Sequence, residues 1–129
     1  MNDTEGGKSD TIKAMQSAKD FLGHVITVRV DRPLGSRHPQ RGFLYPVNYG
    51  FVPDTLAADG EEVDAYVLGI ETPLLEFQGV CIAVIHRLDD DDDKLIVVPS
   101  GVVLSDDEIR SQTKFQEQFF CSVLMRGCT

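Results

Sequence analysis

Six consecutive residues, Asp59-Gly60-Glu61-Glu62-Val63-Asp64, carry four carboxylates, and a second acidic run, Asp89 to Asp93, is closed by Lys94. Carboxylates set this close repel one another unless a cation sits among them, and hard divalent ions such as Mg²⁺ take oxygen ligands of this kind. Gly60 lets the first loop fold back. On a helix Asp59 and Asp64 would lie about 140° apart, so their spacing suits a loop that curls into a strand. The loop lacks the alternating oxygen ligands and distant glutamate of an EF-hand, which sets a calcium loop aside. The one basic cluster, Arg32 to Gly42 (RPLGSRHPQRG), holds Arg32, Arg37 and Arg41, and guanidinium groups suit bidentate contact with phosphate. Two acidic turns and an arginine loop point to a bound divalent cation and a metal-bound anion.

Several other residues have plainer readings. A run of aspartates between strands is most often a solvated turn, and the match of Asp90 to Lys94 to a protease-recognition tag is a coincidence of composition. His86 lies on an apolar strand with no second histidine at metal spacing, so it reads as a core residue. His38, in the arginine loop, reads as exposed. Phe115, Phe119 and Phe120 read as core contacts of the last helix.

The elements that must position these groups follow from periodicity. Residues 1–8 are polar and glycine-containing, which predicts a frayed tail, and residues 9–129 form a single domain. Ser9 or Asp10 caps a helix with Ile12, Met15, Ala18 and Leu22 on one stripe and Gly23 at its end. His24 to Asp31 alternates as a strand, in which Arg29 is the odd member of its face. Phe43 to Phe51, broken by Pro46 and Gly50, suits bent barrel strands. Strands follow at Val63 to Leu68, Val80 to Leu88 and Leu95 to Val98, with Pro73 to Gly79 a connection. Ser105 with Glu108 forms a capping box, opening a helix that runs to about Phe120, and Ser122 to Arg126 is a last short strand. Strands in the middle with helices at each end predict an α+β fold, a small barrel with helices outside it.

Composition narrows the partners. With 129 residues and 42% hydrophobic content, the chain is long enough for one domain with a core. Asp and Glu outnumber Lys and Arg by 21 to 12, which argues against nucleic acid or a membrane surface as partner. Cys81, Cys121 and Cys128 have no disulfide framework spacing, and no signal or membrane-spanning pattern occurs. The expectation is a cytoplasmic protein with reduced thiols.

The run Tyr45 to Leu68, YPVNYGFVPDTLAADGEEVDAYVL, resembles the soluble inorganic pyrophosphatase family, in which Tyr-Pro-x-Asn-Tyr-Gly leads into an Asp-Gly-Asp-Pro-x-Asp loop and an aliphatic strand. A second acidic turn ending in Lys, followed by Leu-Ile-Val-Val-Pro, extends the resemblance from about Phe43 to Phe120. It implies a closed five-stranded barrel of the oligonucleotide-binding type with flanking N- and C-terminal helices, and Mg²⁺-dependent hydrolysis of pyrophosphate, with association into homo-oligomers also open. By the same resemblance Asp59, Asp64, Asp89 and Asp92 are metal ligands, the aspartate run allowing a register shift of one residue. Glu61 stands near the attacking water, Tyr49 near the metal and Lys94 on phosphate or carboxylates. Arg37 is the expected phosphate ligand, with Arg41 or Arg32 as alternates, and Arg29 is the only charged residue midway along the first strand.

The chain also departs from the family pattern. Glu61 is a methylene longer than the family's aspartate, Glu62 replaces its proline, and Phe119 and Phe120 stand where a Tyr-Lys pair is usual. These differences leave two alternatives open: another phosphoanhydride or nucleotide as substrate, or a relative that binds metal and phosphate without hydrolysis.

Overall fold

The computed structural model describes residues 17–57 and 59–127. Among the described residues six strands, β1 (Val25–Arg32), β2 (Asn48–Val52), β3 (Val63–Val67), β4 (Glu76–Arg87), β5 (Asp93–Val98) and β6 (Ser122–Arg126), accompany one α-helix, α1 (Asp106–Glu117). Sheet order runs β1-β2-β3-β5-β4, and β4 pairs back with β1, which closes a five-stranded barrel. The long β4 carries β1 on its first half and β6 on its last. Every pairing is antiparallel except β3 with β5, whose parallel register sets Asp64 opposite Lys94.

Alternation divides the strand residues between two cores. Val28, Val30, Val52, Val63, Ala65, Val67, Leu95 and Val97 fill the barrel, while Tyr66, Leu68, Ile96 and Val98 face outward to meet Ile109 of α1. Both faces of β3 and β5 are therefore buried, which explains why they read as unbroken apolar runs. A register shift between Cys81 and Ala83 sends Ala83 and Ile85 to the outer face, and Arg87 follows them in phase. Ser105 accepts from the Glu108 amide while Glu108 accepts from the Ser105 amide, so the capping box forms as expected. Arg110 then ties α1 to Ser122 of β6.

Some boundaries differ from expectation. The expected N-terminal helix is described only from its last turn, a 3-10 turn at Ala18–Phe21, and its start and the tail at 1–8 lie outside the described residues. Phe43 to Val47 is not strand: proline at 46 lacks an amide donor, and only an isolated Arg37–Leu44 bridge forms there. The strand read from Val80 begins four residues earlier, at Glu76, because Gly79 is not a break. A Cβ there would meet the Val98 carbonyl oxygen at 2.4 Å, so close packing selects the glycine. Among the described residues no helix is long and apolar enough to cross a membrane.

Candidate active site

A cleft of about 390 Å³ opens on the outer face of the barrel beside α1. Asp31 and Arg32 enter it from the end of β1, Tyr49 from β2, Arg87 from β4, Lys94 from β5, Gln116 from α1, and His38 and Arg41 from the arginine loop. Outward phase on each strand brings these polar side chains together.

Lys94 is the centre of charge. Its ammonium lies 2.5 Å from Asp64 and 2.9 Å from Asp92, and the side chain is only 5% exposed. Burial opposes its charge, but the two carboxylates outweigh burial and raise its pKa. The ring of Tyr49 lies 5.7 Å from the ammonium, and burial followed by the Asp64 carboxylate keeps the Tyr49 phenol protonated far above neutral pH. Asp31 has its pKa raised, chiefly by desolvation, against the lowering effect of Arg32.

A buried relay joins the cleft to α1. Tyr45 donates to Gln116 at 3.1 Å, Gln116 donates to the Tyr66 hydroxyl at 2.7 Å, and that hydroxyl donates to Glu117 at 2.7 Å. Glu117 also accepts from Nε and Nη2 of Arg87, at 3.0 and 2.8 Å. The Phe120 ring covers the Arg87 guanidinium at 3.7 Å, and Arg41 stacks on Phe119 at 4.1 Å. On the opposite wall His38 Nδ1 accepts from the Gln40 and Arg41 amides, which shapes the arginine loop into a tight turn. Desolvation, then Arg41 and Arg32, lower the His38 pKa, so the ring is neutral.

Of the residues expected from sequence, the fold brings Asp64, Asp92, Lys94, Tyr49 and Arg41 together. Others are placed elsewhere. Asp59 and Glu61 stay exposed on their loop, where Asp59 accepts from the Glu61 amide. Asp89 accepts from the Cys121 amide at 2.9 Å and so anchors the start of β6, which selects Asp92 as the member of the run beside Asp64. Arg37 bonds the Gly42 carbonyl within its own loop, leaving Arg32 and Arg41 as the loop's cleft residues. Arg29 is exposed on β1, opposite Phe51 and Glu76, and does not line the cleft. His86 is not a plain core residue either: Asp93 lies 2.6 Å from its Nδ1 and Asp91 3.5 Å from Nε2. Asp31, Arg87 and Gln116 are cleft residues that sequence reading missed, as is Glu117, which holds Arg87 from behind the cleft. Only the outward phase of Asp31 and Arg87 on their strands could have marked them.

Two carboxylates within reach of one nitrogen, with open cleft beside them, suit a hard divalent cation held by one or two carboxylates and completed by water and phosphate. Among the described residues no group of three acidic, histidine or cysteine side chains converges as a closed cage.

Comparison with known proteins agrees with this geometry. The inorganic pyrophosphatase family profile matches residues 7–123. The chain is 38% identical over 86 residues to the inorganic pyrophosphatase of Aeropyrum pernix, covering 64% of this chain and 46% of that protein. It is 41% identical over 102 residues to that of Neisseria meningitidis, covering 63% and 57% respectively. The chain thus spans about half the length of these relatives. In fold it is similar to the inorganic pyrophosphatase of Ehrlichia chaffeensis, with a TM-score of 0.66 at 19% identity over 91% of this chain and 92% of the other. The Thermus thermophilus enzyme superposes with a TM-score of 0.57 at 18% identity, over 89% and 87%. A profile match over nearly the whole chain, joined to this barrel, makes the chain a member of the inorganic pyrophosphatase family.

Proposed function

We propose that the chain, as one domain over residues 9–129, hydrolyses inorganic pyrophosphate to two phosphates in the cytoplasm, with Mg²⁺ held by Asp64 and Asp92. The observation that carries this reading is the sharing of one buried ammonium by those two carboxylates on a cleft whose facing loop presents Arg32 and Arg41. When bound, a divalent ion neutralises phosphate oxygens and makes water a stronger nucleophile. Lys94 fixes the spacing of Asp64 and Asp92 and offsets their repulsion in the ion's absence. Arg32 and Arg41 draw in and orient the polyanion, and the protonated Tyr49 phenol donates toward the oxygens gathered there. Glu61 is assigned the proton of the attacking water and Asp59 a further carboxylate, both from the exposed loop that leads into β3. Association of the barrel into a homo-oligomer belongs to the same reading.

Phosphate release from pyrophosphate at neutral pH, with and without Mg²⁺, tests it, with Asp64→Asn as the blank. The expected outcome is metal-dependent release that falls about 100-fold or more in the variant, while its circular dichroism is unchanged. Retained turnover in the variant would remove Asp64 from the site. Release only from other phosphoanhydrides in a substrate panel would move the substrate, and metal-dependent stabilisation without any release would identify a binding protein.

A further inference from the structure

We propose that Arg87 is a phosphate-binding residue of the cleft, with Glu117 and Phe120 positioning its guanidinium. This rests on reading the cleft as a pyrophosphate site.

A guanidinium carries five N–H donors. In Arg87 Glu117 engages Nε and Nη2, and Phe120 covers one face of the plane. Among the described residues Nη1 has only Asp90 within reach, at 3.5 Å, the outer limit of a hydrogen bond, on a carboxylate that is 44% exposed. Yet the Arg87 side chain is itself only 7% exposed, and it lines the cleft with Lys94 and Tyr49. A buried cation with spare donors at a cleft wall is a site for an anion.

The surroundings support that use. Tyr66 donates to Glu117, which leaves the carboxylate with three donors and no freedom to turn away from Arg87. The guanidinium is therefore held in one plane before any ligand arrives. Its charge is secure, because Glu117's hydrogen bonds and charge outweigh burial and raise its pKa. Arg32 from the end of β1 and Arg41 from the arginine loop reach the same cleft, so a diphosphate can be gripped between them and the end of β4.

A purely structural role, pinning α1 to the barrel, makes a different prediction. Removing Arg87 alone strands a buried Glu117, so the informative variant is the apolar pair Arg87→Met with Glu117→Leu, which removes both charges together. The measurement is calorimetric binding of imidodiphosphate, a pyrophosphate analogue with a nitrogen bridge, to the whole chain in excess Mg²⁺. Binding is expected to weaken about tenfold or more in the double variant and by a clearly smaller factor in Glu117→Gln, which keeps the cation but loosens its positioning. Undiminished binding by the double variant, an equal loss in Glu117→Gln, or no binding by the natural chain would overturn the proposal. Because binding is read without turnover, a chain that binds through Arg87 but releases no phosphate would fail the hydrolysis reading alone.

Discussion

At the scale of single residues, the site was legible wherever chain neighbours carry the signal. Asp64, Asp92, Lys94 and Tyr49 stand out from local spacing and the family resemblance, and in the structure they gather around the Lys94 ammonium. Arg87 and Glu117 were illegible, because they lie 30 residues apart and only the packing of α1 against β4 joins them. Arg37 has the expected spacing, and in this structure its side chain bonds the Gly42 carbonyl in its own loop. Asp31 carries a testable charge effect. Desolvation raises its folded-state pKa above the unfolded value of about 3.9. Its contribution to stability is therefore full below about pH 3.9 and is lost as pH rises through the folded pKa. Asp31→Asn is expected to melt slightly higher than the natural chain at pH 7, the effect kept small by solvent screening of this exposed side chain, with the gap closing below about pH 4. Melting curves across that range check it, and a variant less stable at pH 7 would contradict it.

Elements were legible to the extent that their ends carry chemical punctuation. The helix from Ser105 was readable because serine and glutamate three residues apart satisfy two orphan amides at once. The early start of β4 was not, because exposed Glu76 and Gln78 around Gly79 look like a connection until β1 is seen to pair with them. Gly50 likewise resembled a strand breaker. A Cβ at that position would lie 1.9 Å from the Arg29 carbonyl oxygen, so the residue marks close strand contact instead. The cap has a measurable role, since α1 delivers Gln116 to the cleft and Glu117 to Arg87 from its far end. Ser105→Ala is expected to lose about 1 kcal/mol in denaturant unfolding with the slope unchanged. A midpoint equal to that of the natural chain would show that tertiary contacts alone hold the helix.

For the whole molecule, closure of the barrel was legible only through the family resemblance, since composition and periodicity reach no further than a small barrel. Nothing local to β1 or β4 states that the first strand returns to the fourth. Cys81 reports on that closure. It is fully buried in the barrel core, with its thiol pKa pushed up to about 11 chiefly by burial, whereas Cys121 is exposed. Alkylation by iodoacetamide at pH 8 is expected to modify Cys121 readily and Cys81 about 1,000-fold more slowly, with Cys81 accelerating in urea in step with loss of circular dichroism. Peptide mass mapping distinguishes the two, and comparable rates in buffer would mean that the barrel opens locally at β4.

The parallel pairing of β3 with β5 also sets an order in time. Asp64 and Lys94 face each other across it with all of β4 between them in the chain. During synthesis the first acidic loop therefore leaves the ribosome well before the lysine that will steady it. Until β5 slots in beside β3, Asp64 stands on an unfinished ribbon, and its pairing with Lys94 arrives together with the ring.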